Sequence, residues 1–208
     1  MFDIGGVLLD WNPRHLYRQL IDDPADMEEF LGQVCTPDWH LAHDLGEDTE
    51  QSCAELASQH PEYAELIMAW AHRSEDMIAG QIDEVVDILA EVKGLGLDCY
   101  ALSNMEPDTF ELRRQRYPLF AMMDGCVISG IERVAKPDRK IFDILISRYG
   151  LDPRATVFVD DSPDNVAAAG EPGLVAIRYR TPGQMRSDLR DLGVDISVDG
   201  QGGITRRA

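Results

Sequence analysis

The chain has 208 residues, of which 44% are hydrophobic, so it is long enough for one sizeable domain with an insertion or for two small domains. Its formal net charge of −19 argues against nucleic acid or an anionic membrane surface as the main partner, because both attract basic patches. No apolar run approaches the ~20 residues that span a bilayer, and Asp3 lies where a secretory signal would be apolar. We therefore expect a soluble protein, in which an anionic substrate would need a local cation.

The cysteines show no metal-ligand spacing along the chain. Two of them fall inside apolar, strand-like runs, which favours buried reduced thiols for the set Cys35, Cys53, Cys99 and Cys126. Reduced thiols are typical of cytoplasmic proteins. We therefore predict a cytoplasmic protein. For its oligomeric state we expect either a monomer or a homodimer.

Residues 13–94 are predicted to be almost entirely helical. Asn12-Pro13 and Asp23-Pro24 each place a capping side chain before a proline at the first helical position. Further on, apolar residues recur at helical spacing over 62–78 and 82–92. Gly94 is expected to end the second of these helices.

After Gly96 short strand-like runs alternate with helices, which implies right-handed crossovers and a parallel sheet. The predicted strands are 97–102, 126–129, 156–159 and 174–177, and the predicted helices are 106–117, 137–149, 162–169 and 182–192. The predicted fold class is therefore α/β, with a parallel sheet flanked by helices. Residues 1–12 and 81–198 would form this core, 13–80 a helical insert, and 199–208 a flexible tail.

The first predicted strand is unusually short. Asp3 should end a buried strand, yet only Met1 and Phe2 precede it, against a usual strand of ~5 residues. Either the strand is short or the true start lies upstream. We favour a missing segment of a few residues.

Polar residues lie at four places where an apolar run gives way to a turn or helix. In an open α/β sheet this is the edge where ligands bind. The four pieces are Asp3-Ile4-Gly5-Gly6-Val7, Ser103-Asn104, Lys136-Pro137-Asp138 and Asp160-Asp161-Ser162-Pro163-Asp164-Asn165. Together they supply a carboxylate, a hydroxyl, an ammonium and an acidic pair. This set suits a phosphate and a divalent metal.

Asp3 is a candidate nucleophile. Two glycines follow it, so its carboxylate can point out of the sheet while the bare backbone lets a phosphate or metal approach. A carboxylate can attack phosphorus to form an aspartyl-phosphate, which water then cleaves. The alternative is a turn in which the aspartate caps local backbone, and one Asp-x-Gly-Gly taken alone favours that alternative.

Asp160 and Asp161 form an acidic pair after the apolar run of residues 157–159. Adjacent like charges are unfavourable unless a cation lies beside them. Mg²⁺ fits, because it takes oxygen ligands and keeps coordination positions for phosphate. The alternative is that one of the two aspartates caps the helix that begins near Ser162.

Lys136, Ser103 and Asn104 complete the predicted site. The ammonium of Lys136 can balance developing negative charge, and Ser103 and Asn104 can donate hydrogen bonds to phosphate oxygens. An ordinary surface lysine and a simple turn are the alternatives. The order of these residues along successive strand ends favours a shared site.

The motifs with their neighbours are Phe2-Asp3-Ile4-Gly5-Gly6-Val7-Leu8 with Asp10-Trp11-Asn12-Pro13, Leu102-Ser103-Asn104, Lys136-Pro137-Asp138 with Ile141-Phe142, and Val159-Asp160-Asp161-Ser162 with Asn165-Val166 and Ala168-Ala169. In this order they resemble the haloacid dehalogenase superfamily over nearly the whole chain. The helical insert lies between the first and second motifs, where the subgroup with a helical cap carries it. The resemblance implies a Rossmann-like core with an inserted cap.

The resemblance also implies a function: a Mg²⁺-dependent phosphatase that acts on a small, sugar-phosphate-like metabolite through an aspartyl-phosphate. Asp3 corresponds to the nucleophile, and Lys136 to the lysine that steadies it and the phosphoryl charge. The implied substrate-binding residues are Gly6, Ser103, Asn104 and Lys136. The implied metal ligands are Asp3, the backbone carbonyl of Gly5, Asp161 and the supporting Asp160, with Asn165 nearby.

Gly5 is the main departure from the family pattern. Most phosphatases of the superfamily have a second aspartate here, which protonates the leaving group and activates water. Such catalysis contributes roughly 100- to 10,000-fold, so its loss need not abolish turnover if the leaving oxygen is otherwise stabilised. The superfamily's dehalogenases also use an aspartate nucleophile, but they need neither leaving-group protonation nor a metal. A dehalogenase and a degenerate domain that only binds a phosphorylated ligand are therefore the alternatives.

Substrate specificity is expected to come from the insert, because the core contacts only the phosphate. The candidates for lining the cleft between cap and core are Trp11, Trp39, His40, His43 and Asp44. The alternative is that Trp39 and Trp70 pack among the cap helices while the histidines are solvated.

Overall fold

A computed structural model describes residues 1–197 of the chain. The predicted flexible tail of residues 199–208 and the last predicted core residue, 198, lie outside the described residues. The strands are β1 (Leu9–Trp11), β2 (Ile78–Gln81), β3 (Tyr100–Ser103), β4 (Gly125–Ile128), β5 (Val157–Asp160) and β6 (Val175–Arg178).

The helices of the first half are α1 (Pro13–Tyr17), α2 (Pro24–Gln33), α3 (Pro37–Asp44), α4 (Thr49–Gln59), α5 (Ala64–His72) and α6 (Asp83–Gly94), with β2 between the last two. Those of the second half alternate with strands: α7 (Pro107–Arg116), α8 (Ser129–Glu132), α9 (Arg139–Tyr149), α10 (Pro163–Ala169) and α11 (Pro182–Asp191). This alternation confirms the predicted α/β class.

A parallel sheet forms the centre of the α/β part. β3 pairs in parallel with β4, and β5 pairs in parallel with β6. Phe2 joins the two pairs, because it makes parallel bridges to Ala101 on one side and Val159 on the other. The sheet order is therefore β4, β3, Phe2, β5 and β6, and Asp3 follows the central position.

The prediction of one helix over residues 62–78 is wrong. The chain there forms a 3₁₀ turn (Pro61–Tyr63), then α5, then a second 3₁₀ turn (Ser74–Met77), and it enters β2 at Ile78. β2 pairs antiparallel with β1, with Trp11 opposite Ile78 and Leu9 opposite Gln81. Apolar spacing indicated helix, but the free edge of β1 offers the backbone of β2 hydrogen-bond partners far away in the sequence.

The helical segment and the sheet bury separate sets of side chains. Between the helices of the first half, Leu16, Tyr17, Phe30, Ile67 and Trp70 belong to one cluster. Helices also pack against the two faces of the sheet, and two further clusters of buried side chains form there. Val85 and Leu89 of α6 belong to one, and Phe142 of α9 and Phe158 of β5 belong to the other. The ribbon of β1 and β2 lies at the junction, so a cleft forms beside the strand ends.

Candidate active site

The carboxyl ends of the central strands bring the predicted site residues together. Ser103 ends β3, Asp160 ends β5, and Asp3 follows Phe2 between these strands. Because parallel strands end at the same sheet edge, the three side chains meet there. Asp3 and Ser103 line a cavity of about 380 Å³ between the sheet edge and the helical segment, whereas the fully buried Asp160 does not. The lining also includes Gly5, Gly6, Asn104, Lys136, Asp161 and Asn165.

Asp3 is buried at the base of the cavity. Its Oδ1 accepts a hydrogen bond from the Ile4 N–H at 2.7 Å and lies 2.9 Å from Lys136 Nζ. Burial raises the pKa of Asp3 to about 7, although Lys136 acts in the opposite direction. Both contacts engage Oδ1, so Oδ2 is the oxygen free to act on a ligand in the cavity.

Lys136 is a buried cation between two carboxylates. Its Nζ lies 2.6 Å from Asp160 Oδ2 as well as 2.9 Å from Asp3 Oδ1. Burial by itself would lower the pKa of Lys136, but the charges of Asp3 and Asp160 outweigh burial and raise it. Lys136 therefore carries its charge at neutral pH.

The side chain of Asn104 holds the backbone of Lys136. Its Nδ2 donates to the Lys136 carbonyl at 2.9 Å, and its Oδ1 accepts from the Lys136 N–H at 2.8 Å. This reciprocal pair fixes the loop that carries the lysine. Asn104 thus borders the cavity while its amide group is engaged with the loop.

The carboxylates of Asp160 and Asp161 have different environments. Asp160 is fully buried and accepts hydrogen bonds from the Ser162 N–H at 2.8 Å and from Asn165 Nδ2 at 3.1 Å. Asp161 is exposed as a residue, but its carboxylate lines the cavity, where partial loss of solvent and the charge of Asp160 raise its pKa. Asp160 therefore orients its neighbours, whereas Asp161 is available to a ligand.

Oxygen atoms of Asp3, Asp160 and Asp161 lie within 4.8 Å of one another. Three carboxylates around the single ammonium of Lys136 leave an excess of negative charge, which a hard divalent cation would neutralise. Gly6 adjoins them with φ of +75°, and a Cβ there would lie 2.7 Å from Asp161 Oδ2. The donor set and the space kept open by Gly6 both fit Mg²⁺.

The helical side of the cavity confirms part of the predicted cleft. Trp11, His40 and Asp44 line it, and Trp70 joins them. The prediction is wrong for Trp39 and His43. His43 is completely buried against the edge of Trp39, with ring centroids 4.4 Å apart, so neither the predicted lining position nor solvation applies to it.

The cavity also has charged residues that the sequence analysis missed. Arg113 on α7 is buried and has Glu75 as its ion-pair partner at 3.5 Å, while Glu106 lies just before α7. Burial raises the pKa of Glu106 and lowers that of Arg113. The spacing of Arg113 from Phe110, three positions earlier on α7, was the available signal that it faces inward.

The fold and the site together define a protein of the α/β class with an aspartate, lysine and acidic-pair centre at the ends of its parallel strands. The chain belongs to the haloacid dehalogenase-like hydrolases, whose family pattern matches residues 1–171. The predicted superfamily is thereby confirmed. No helix among residues 1–197 is long and apolar enough to cross a membrane.

Individual relatives agree with this assignment. A sesquiterpene phosphatase of Aspergillus oryzae is 27% identical over 194 residues, which cover 92% of this chain and 94% of that protein. A predicted HAD-like family hydrolase of Porphyromonas gingivalis has a similar fold, with a TM-score of 0.69 at 23% identity over 92% of this chain and 96% of that one. A HAD family enzyme of Bacteroides thetaiotaomicron, solved in complex with magnesium and inorganic phosphate, has a TM-score of 0.65 at 19% identity, covering 86% and 92%.

Proposed function

We propose that this chain is a Mg²⁺-dependent phosphoric monoester hydrolase with Asp3 as its nucleophile. The observation that carries the proposal is the cluster of three carboxylates within 4.8 Å around one buried lysine. Such a site suits a cation and the phosphate that the cation would neutralise. The phosphatase relative and the fold neighbour bound to magnesium and phosphate support the same reaction.

In the proposed reaction Asp3 Oδ2 attacks phosphorus and the ester oxygen leaves, so that an aspartyl-phosphate forms and water then cleaves it. The Ile4 N–H and Lys136 hold Oδ1, which orients the free oxygen toward the cavity. Lys136 also balances the charge of the phosphoryl oxygens, and Asp160 keeps Lys136 in place. Ser103 and the backbone at Gly6 are proposed phosphate contacts, with Asn104 holding the Lys136 loop.

Asp3, Asp161 and the carbonyl of Gly5 would hold Mg²⁺, and Asp160 would support them from behind. When bound, Mg²⁺ supplies positive charge that neutralises the phosphoryl group. The proposed substrate is a small phosphorylated metabolite, because the cavity of about 380 Å³ is closed on one side by the helical segment. Residues 13–80 act as the cap in this proposal, and residues 1–12 and 81–198 act as the catalytic core.

A dehalogenase is the second candidate, and the absence of a side chain at Gly5 favours it, because halide leaves without protonation. The acidic pair at Asp160 and Asp161 argues against it, since a carboxylate substrate would be repelled there. A degenerate domain that binds a phosphorylated ligand without hydrolysis is the third. The three candidates differ in the product they release.

Phosphate release from a panel of phosphomonoesters, with and without Mg²⁺, tests the proposal alongside chloride release from 2-haloacids. We expect phosphate release that needs Mg²⁺ and is lost in Asp3→Asn, because the amide cannot form the aspartyl-phosphate. Asp164→Asn is the matched control, since Asp164 is exposed on α10 outside the cavity lining. Chloride as the sole product, or full activity of Asp3→Asn, would contradict the proposal.

A further inference from the structure

The proposed reaction needs a proton for its leaving oxygen, and Gly5 has no side chain to supply one. An added Cβ at Gly5 would have Trp11 Cβ at 3.8 Å as its contact, so the position opens toward the cavity instead of being filled by a neighbour. Protonation by a positioned acid contributes roughly 10²- to 10⁴-fold to such reactions. Another acid in the same cavity would fill this role.

We propose that Asp44, at the end of cap helix α3, is the general acid and base of this site, an inference that rests on the proposed function. Its side chain is 13% exposed and lines the cavity that Asp3 and Lys136 also line. Asp44 thus approaches a bound phosphate ester from the cap, on the side away from the sheet. A carboxyl group there adjoins the leaving group rather than the nucleophile.

The end of α3 is fastened to the core, as a catalytic position requires. Ser129 Oγ, at the carboxyl end of β4, donates a hydrogen bond to the backbone carbonyl of Asp44. Arg133 Nη1 donates to the carbonyls of Gly46 at 2.6 Å and Leu45 at 3.2 Å. These bonds join the cap to the two ends of α8, between β4 and Lys136. Asp44 is therefore held against the catalytic core by backbone contacts that leave its carboxyl group free.

The groups that face Asp44 favour a carboxyl that can hold a proton. His40, one turn earlier on α3, has Nε2 at 3.8 Å from Asp44 Oδ1, and Glu106, Arg113 and Lys136 face it from the core. Burial raises the pKa of Asp44 to about 7, although Lys136 and Arg113 act in the opposite direction. Burial lowers the pKa of His40 to about 4, so its neutral ring does not take the proton.

The proton balance closes over both steps. As the bond from Asp3 Oδ2 to phosphorus forms and the phosphorus–oxygen ester bond breaks, the Asp44 proton passes to the ester oxygen, which leaves as an alcohol. The Asp44 carboxylate then accepts a proton from the water that attacks the aspartyl-phosphate. Asp3 regains its carboxylate, inorganic phosphate leaves, and Asp44 is again protonated.

Leaving-group dependence tests this role. Phenyl phosphates with ring substituents from 4-methoxy to 4-nitro share one shape but differ in how much protonation their leaving oxygen needs. We expect kcat of Asp44→Asn to fall by about 100-fold for 4-methoxyphenyl phosphate and by less than about 5-fold for 4-nitrophenyl phosphate. A merely structural loss would lower both equally. The Asn side chain keeps the shape of Asp, and the retained turnover of the nitro ester reports that the variant is folded.

Control variants make the outcome specific. Asp38→Asn changes an exposed residue on the same helix, and it should show the same dependence of kcat on the leaving group as the parent protein. Gly5→Asp combined with Asp44→Asn should restore turnover of the methoxy ester, because a carboxyl at position 5 has space. An equal loss for all esters in Asp44→Asn, or a selective loss in Glu106→Gln instead, would overturn the proposal. Parent protein that hydrolyses none of these esters, nor the metabolite panel, overturns the proposed function, and the role of Asp44 fails with it.

Discussion

Gly6 shows how a single missing methyl group shapes the site. Its φ of +75° lies in the left-handed region, and a Cβ at this position would lie 2.7 Å from Asp161 Oδ2. Glycine therefore serves both the turn after Asp3 and the approach of Asp161. Neither the nucleophile loop nor the acidic pair would keep its position with a larger residue here.

We expect Gly6→Ala to displace the Asp161 carboxylate and to weaken Mg²⁺ binding by at least about tenfold. The left-handed backbone adds a strain of about 1–2 kcal/mol for alanine. Titration calorimetry with MgCl₂ measures the affinity. Gly183→Ala on α11 is the matched control, since an added Cβ there meets no atom of residues 1–197 within 4 Å. Equal affinities for the two variants would contradict the expectation.

His43 is a buried residue whose charge state affects stability. Neither ring nitrogen has a hydrogen-bond partner among residues 1–197. Burial, with a smaller contribution from the nearby His40, lowers the pKa of His43 from 6.5 to about 4. Between these pH values the unfolded chain binds a proton that the folded chain does not. The contribution of His43 is therefore intact above pH 6.5 and is lost as the pH falls toward 4.

We expect His43→Phe to remove part of this acid sensitivity. The difference in unfolding free energy between parent and variant should change by up to about 1.4 kcal/mol per pH unit below 6.5, in favour of the variant. Urea unfolding at pH 7, 6 and 5 measures it. His72→Phe, with a side chain 56% exposed, should follow the parent profile. Parallel profiles for His43→Phe and the parent would refute the assignment.

Helix starts are local features of this sequence. Five helices begin with a side chain that caps free N–H groups, followed by a proline at the first position. The pairs are Asn12-Pro13, Asp23-Pro24, Thr36-Pro37, Ser162-Pro163 and Thr181-Pro182. Because capping involves residues within one turn, these starts can be predicted without knowledge of the fold.

The position of helix α3, unlike the helix starts, depends on a contact with the core that is distant in sequence. Arg133, with φ of 59°, reaches the carbonyls that follow α3 from a position 87 residues away in the sequence. Arg133→Met keeps the side-chain stem but removes both hydrogen bonds. We expect a loss of about 1 kcal/mol in unfolding free energy. We also expect faster amide hydrogen exchange in residues 42–46.

Hydrogen exchange followed by mass spectrometry, with urea unfolding, measures both effects. Arg154→Met is the control, because Arg154 is exposed in the 3₁₀ turn before β5 and takes no part in the hydrogen bonds to Leu45 and Gly46. It should leave exchange in residues 42–46 unchanged. If Arg133→Met also leaves that exchange unchanged, the cap helix is not held by this residue.

At the scale of the whole molecule, a net charge of −19 produces repulsion that opposes the folded state. We expect the melting temperature at pH 7, measured in EDTA, to rise by about 3 °C between low salt and 0.3 M NaCl, roughly 1 kcal/mol. The rise should shrink at pH 5.5, closer to the isoelectric point of about 4.4. A salt effect that is absent at pH 7, or equal at both pH values, would contradict this explanation.

Most of the α/β part was predictable, because strands and helices alternate and each has a local apolar pattern. β3 to β6 lie within three residues of their predicted bounds. The strand ends that carry Asp3, Ser103 and Asp160 followed from the same pattern. The helix predicted over 62–78 was wrong, because β2 depends on β1, whose residues lie about 70 positions earlier. The burial of Arg113 and the lining position of Asp44 depend on packing between cap and core.

The sequence by itself determined the α/β class, the helix starts and the set of acidic and basic residues at the strand ends. These depend on residues within one turn or one strand, where local hydrogen bonds and apolar periodicity decide the backbone. Only the tertiary structure decided that Lys136 lies between Asp3 and Asp160, that His43 is buried, and that Asp44 borders the cavity. The physical reason is that these distances and burials depend on contacts between segments far apart in the chain, which local patterns do not encode.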